Sequence, residues 1–124
     1  MNTRDIHKPM QEYASSILVK MNQSLDRQLL LQIEITDSKR GWSRAGRISV
    51  PTWAIERGFE YFTYYIIHEI SHHIAGSKHG HDYYFKEIEI HWVKKLINCN
   101  IEYKKAYPKR LINFHSGKVV YTSK

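Results

Sequence analysis

The chain has 124 residues, 42% apolar and 13% aromatic, which excludes a disordered polymer and allows one domain with its own core. Its formal charge of +7 sits at one end: from Lys94 onward eight basic residues face the single acid Glu102, and the preceding residues balance. Cys99 is the only cysteine, which excludes an internal disulfide and a thiolate metal cluster.

No apolar run approaches the roughly 20 residues of a membrane span. The first residues, MNTRDIHKPM, lack the apolar centre of a signal peptide, so a cytoplasmic protein and no membrane partner are expected. The basic segment from about residue 94 reads as an extension of a single domain over 1–124. It suits nucleic acid or another polyanion, and equally suits a solvated surface.

In chain order, Pro9 suits a first helical turn, and Met10, Tyr13, Ala14, Ile17, Leu18, Met21 and Leu25 follow at three- and four-residue steps. An amphipathic helix covering a core is expected there. The period then changes to two, with Leu29, Leu31, Ile33 and Ile35 on one side of a strand. The polar, glycine-containing run Asp37 to Gly46 reads as a loop or irregular hairpin, and Arg47 to Val50 as a second strand. Pro51 opens a short helix over Thr52 to Arg57, ended by Gly58. A longer helix is expected from about Glu60 to Ala75, closed by Gly76, and another from about Asp82 to Ile97 with Phe85, Ile88, Trp92 and Leu96 along one side. Two short apolar runs, Leu111 to Phe114 and Val119 to Tyr121, fit a small hairpin around His115-Ser116-Gly117.

Five of the eight histidines fall between Tyr64 and Phe85, in YYIIHEISHHIAGSKHGHDYYF. Within it, His68-Glu69-Ile70-Ser71-His72 has the form HExxH. Residues four apart on a helix stand one turn above each other, about 5–6 Å between Cβ atoms. His68 and His72 can therefore converge on one Zn2+ ion, while Glu69 stands beside the first ligand as a base for a water that the metal acidifies. Ile66, Ile67, Ile70 and Ile74 form an apolar side, opposite His68 and His72 with Glu69, Tyr61 and Tyr65. The helix is thus expected to floor a cleft.

A catalytic zinc takes a third protein ligand. His73 lies about 100° around the helix from His72 and reads as a surface residue or one outside the ligand shell. Past Gly76, His81 opens the next helix in phase with Phe85, Ile88 and Trp92 and is the favoured third ligand; His79 remains the alternative. Asp82 suits either orientation of a ligand imidazole or a helix N-cap. Tyr65, Tyr83 and Tyr84 are candidates to stabilise an oxyanion, though core or cleft-wall packing fits each of them better in a tyrosine-rich chain. His7, His91 and His115 lack partners at ligand spacing.

These residues resemble the compact zincin metallopeptidases of SprT-like and WLM type. His68 to His72, then Gly76, then His81-Asp82-Tyr83-Tyr84-Phe85 is similar to the WLM pattern, in which H-D-x-x-F opens the next helix. His79-Gly80 with Tyr83 is similar to the SprT-like one. The resemblance implies an α+β, minimal zincin-like domain: a small sheet packed on an N-terminal helix, an HExxH active-site helix and a following ligand helix. It also implies that the strand ahead of the active-site helix, Arg47 to Val50, lies along the cleft and pairs with an extended peptide. The chain lacks the paired-cysteine module that follows many SprT-like domains, so their DNA-linked role does not carry over.

The function expected is a zinc metallopeptidase acting on protein or peptide substrates, with Glu69 catalytic and His68, His72 and His81 as ligands. The alternative is an inactive, zinc-stabilised binding module associated with nucleic acid. A metal-free chain whose histidines only fill the core is the third reading.

Overall fold

A computed structural model describes residues 3–76, 78–80, 82–97, 100–103, 110–115 and 118–122, with side chains for 8–76, 78–80 and 82–97. The first helix, α1 (Thr3–Asn22), begins six residues before Pro9 and encloses that proline. Proline cannot donate to the helical ladder, so its presence marks one missing bond rather than the helix start that the sequence suggested. α1 also stops short of Leu25. Asn22 ends it by gripping Leu29 twice: its Oδ1 accepts from the Leu29 N–H at 2.8 Å and its Nδ2 donates to the Leu29 carbonyl at 3.1 Å. That clamp turns the chain back along α1 into β1 (Gln32–Thr36).

A strand lies inside the segment expected as loop or irregular hairpin. β2 (Trp42–Arg44) pairs antiparallel with β3 (Arg47–Pro51), with Arg44 opposite Arg47 across the Ala45-Gly46 turn. Gly46 has φ +71°, the left-handed conformation that a two-residue hairpin turn demands. β1 pairs parallel with β3, so the sheet order is β1-β3-β2. This corrects the expectation for Arg47 to Val50. β3 is central, its two sides are occupied by β1 and β2, and it has no edge to offer a peptide. Its polar Ser49 is fully buried, the hydroxyl bonded to that of Thr36 at 2.8 Å.

α2 (Trp53–Glu56) leads through Gly58, at φ +114°, into α3 (Phe59–Ala75), which Gly76 closes at φ +96°. α4 (Tyr83–Ile97) packs against α3. Beyond it β4 (Asn100–Tyr103), β5 (Arg110–His115) and β6 (Lys118–Thr122) form a second sheet of order β4-β6-β5. The expected tail hairpin is β5 with β6, antiparallel; β4, parallel to β6, was not foreseen.

The core lies between α1, the inner face of the first sheet and α3. Met10, Ala14, Ile17, Met21, Ile33, Ile35, Ile48, Val50, Phe62, Ile66, Ile67 and Ile70 are buried there. Enclosing a large apolar side chain contributes roughly 1.5–3 kcal/mol, so this cluster is the main force against chain entropy. The fold is α+β, with four helices and a three-stranded mixed first sheet. That sheet does not reproduce a zincin architecture. Among the described residues no helix is long and apolar enough to cross a membrane.

Candidate metal centre

α3 is enclosed almost all round. Besides Ile66, Ile67 and Ile70, the side chains of Tyr61, Phe62, Thr63, Tyr64, Glu69 and Ser71 are buried. The polar side expected to face an open cleft is in fact covered along much of its length, by α2 at Tyr61 and Tyr65 and by α4 at His68 and His72. Trp53 packs on Tyr61 and Tyr65 with ring centroids 6.1 and 5.8 Å away.

The helix brings His68, Glu69 and His72 together: one ligand atom from each lies within 4.8 Å of the others, and this group could hold a metal ion. The two imidazoles meet edge to face at 5.0 Å between centroids and are only partly buried, whereas Glu69 is buried. Two nitrogens and a carboxylate form a donor set suited to zinc and similar divalent ions. Distance alone admits Glu69 either as a base beside the ion or as an oxygen donor to it.

α4 supplies what surrounds the histidines. Phe85, fully buried, stacks on His72 at 4.3 Å with 25° between planes and meets His68 edge-on at 5.2 Å. One turn later Glu89, also fully buried, bonds His68 Nδ1 through Oε2. The Tyr64 hydroxyl approaches the same two groups at 3.4 Å. Burial alone would push the His68 imidazole down, but the Glu89 carboxylate outweighs it and holds His68 above the ordinary histidine value. Burial pushes Glu69 above the usual glutamate range; His68 opposes this and Glu89 adds to it. Glu89 and Tyr64 were not singled out in the sequence. The available signal was an acid at 89, one turn after Phe85 and just before Trp92 and Val93, within a stripe that is otherwise apolar.

The remaining candidates are placed as follows. His79 is not in the group; its Nδ1 bonds Asp82 Oδ2 at 2.7 Å and its ring lies 4.5 Å from that of Tyr84. Asp82 also accepts from the Phe85 N–H at 3.0 Å, so it caps α4 and holds an imidazole at once. His81, the favoured third ligand, lies outside the described residues. His73 turns toward the sheet rather than out to the surface. Its ring is partly buried, its Nε2 is buried without a hydrogen-bond partner, and burial pushes its pKa down while the Arg47 backbone opposes the shift.

The Tyr65 hydroxyl, a candidate oxyanion donor, accepts the Gly41 N–H at 2.7 Å and so ties the start of β2 to α3. Tyr83 and Tyr84 are largely exposed on α4. β2 is also tied at the site itself, since the Ser43 hydroxyl donates to the Glu69 carbonyl at 3.3 Å.

Of the basic segment, the side chains of Lys94 and Lys95 are described, and Lys95 lies over Trp92 at 5.1 Å while bonding the Ser24 hydroxyl at 3.0 Å. The side chains of the other basic residues there lie outside the described set. No protein-family model, curated protein or solved structure matches the chain.

Proposed function

We propose that the chain is a zinc-dependent peptidase of the HExxH type, as its resemblance to SprT-like and WLM-type domains implies. The observation that carries this reading is the convergence of His68, Glu69 and His72 within 4.8 Å on one helix. It rests on the site rather than on sheet architecture: the chemistry is of zincin type in a sheet that is not.

His68 and His72 hold the ion, with His81 as the third protein ligand and His79 the alternative. Zinc, when bound, acidifies water and polarises a carbonyl. Glu69 would serve as the base, its carboxylate accepting a proton from the attacking water and returning it to the leaving amine. β2, the edge strand of the first sheet that Ser43 fastens to the Glu69 carbonyl, is the strand a substrate backbone would pair with in this reading. A cytoplasmic setting suits a chain with one cysteine.

Glu69→Gln tests this reading. Zinc content by metal analysis should stay near that of wild type, while cleavage of a quenched-fluorescence peptide library falls about 10²- to 10⁴-fold, the usual contribution of a general base. Zinc lost together with activity would make Glu69 a ligand. Zinc retained with no cleavage by the wild type itself would favour the inactive binding module.

A further inference from the structure

Glu89 stands where the packing of α4 calls for an apolar residue. Phe85 before it, and Trp92 and Val93 after it, are buried, and Glu89 itself is fully buried between them. Placing a carboxylate in such surroundings is costly, and a well-packed hydrophobic residue there would serve stability as well or better. What the carboxylate does that leucine could not is grip a ligand of the candidate centre: its Oε2 bonds His68 Nδ1, with the Tyr64 hydroxyl beside them.

We propose that Glu89 is a positioning residue for the metal centre, accepting the Nδ1 proton of His68 so that the ring presents Nε2 to the ion. The inference rests on the metal-centre reading above and deepens it. An imidazole binds a metal through a nitrogen that carries no proton, and the hydrogen bond at the other nitrogen decides which one that is. A carboxylate at Nδ1 also makes Nε2 a stronger donor.

The same helix handles the second ligand differently. Phe85, one turn earlier on α4, stacks flat on His72 and fixes its ring plane. One face of α4 therefore sets the orientation of both histidines, although neither is on α4. Glu89 itself does not belong to the group of converging ligand atoms, which argues for orienting the ring rather than coordinating beside it.

The test compares metal affinity in wild type, Glu89→Gln and Glu89→Leu by competition with a chromophoric chelator. Glutamine keeps an acceptor oxygen without the charge, and leucine keeps neither. Zinc should bind one-to-one in all three, about 10-fold more weakly in the glutamine variant and about 100-fold in the leucine variant. The visible spectrum of the cobalt-loaded protein should keep its bands, because the coordinating atoms do not change.

Equal affinities in all three proteins would make Glu89 a core residue only, and shifted cobalt bands would make it a ligand; either overturns the proposal. Should the variants fail to fold, the zinc-loaded wild type decides by itself. Long-range proton–nitrogen spectra should place the His68 proton on Nδ1, and coordination through Nδ1 would overturn the assignment. A wild type that binds neither ion sinks the metal-centre reading and this inference together. Wild-type binding with no change in the variants sinks the inference alone.

Discussion

α3 is clasped by two helices that treat it differently. On the α1 side the contacts are those of an ordinary core: Tyr13 lies 4.6 Å from Phe59 and 6.1 Å from Phe62, and its hydroxyl meets that of Thr63 at 2.7 Å. Thr63 Oγ1 also donates to the Phe59 carbonyl. On the α4 side an aromatic ring and a buried carboxylate address two histidines. Apolar packing alone would have joined α3 to α4 as firmly. In the proposed metal centre, that more demanding chemistry is what would point His68 and His72 in particular directions.

Paired truncations break this comparison most forcefully. Phe62 on the α1 side and Phe85 on the α4 side are both buried to within 1%. Phe62→Ala and Phe85→Ala should each cost about 3–5 kcal/mol in urea unfolding of the metal-free protein. Metal affinity should separate them: Phe85→Ala should bind zinc roughly 10-fold more weakly by chelator competition, as loss of a ligand's outer support does, and the folded Phe62→Ala should bind as wild type does. Equal weakening in both would mean that metal binding tracks general stability and that α4 has no special role.

The same contrast explains what could be read from the sequence. α3 was legible because Gly58 and Gly76 bracket it and its isoleucines repeat at helical spacing, and HExxH needs nothing beyond that one helix to bring its residues together. β2 was not, because three residues, Trp42 to Arg44, show too little alternation to mark a strand. The central place of β3 was hidden for a different reason. The edge role came from the resemblance alone, and only the pairing partners on both sides reveal otherwise. Glu89 was passed over because its partner His68 lies 21 residues away on another helix. Local pattern reports the elements; buried polar pairs between them are tertiary facts.

A smaller effect sharpens the comparison at another neighbour of α3, the β2–β3 hairpin. Gly41 approaches α3 so closely that a Cβ there would stand 2.5 Å from Tyr65 Cε1 and 2.5 Å from the Ser49 carbonyl oxygen. One of those contacts is backbone and cannot swing aside, so Gly41→Ala should cost about 1–3 kcal/mol through overpacking. Because β2 follows directly and is fastened beside Glu69, peptide cleavage should fall more than zinc content does. A variant that loses zinc in proportion to activity would place the hairpin among the supports of the metal, alongside α4.

The smallest effect concerns the hydroxyl that makes this approach useful. Tyr65→Phe removes the acceptor of the Gly41 N–H and should cost about 1 kcal/mol at neutral pH. Its pH dependence tests whether the phenol is enclosed in solution. Burial pushes Tyr65 from the ordinary tyrosine value of 10.0 up to about 12, with the Gly41 hydrogen bond pulling the other way. A folded-state value above the unfolded one means that the unfolded chain ionises first as the pH rises. The stability that Tyr65 contributes is therefore whole below pH 10.0 and is lost progressively toward about 12. Phenylalanine has no proton to lose, and every other titrating group is shared by the two proteins. The stability gap between wild type and Tyr65→Phe in urea should therefore narrow across that interval. A gap that stays constant would mean that the phenol is open to water and that the hairpin is held against α3 by packing around Gly41 rather than by this hydrogen bond.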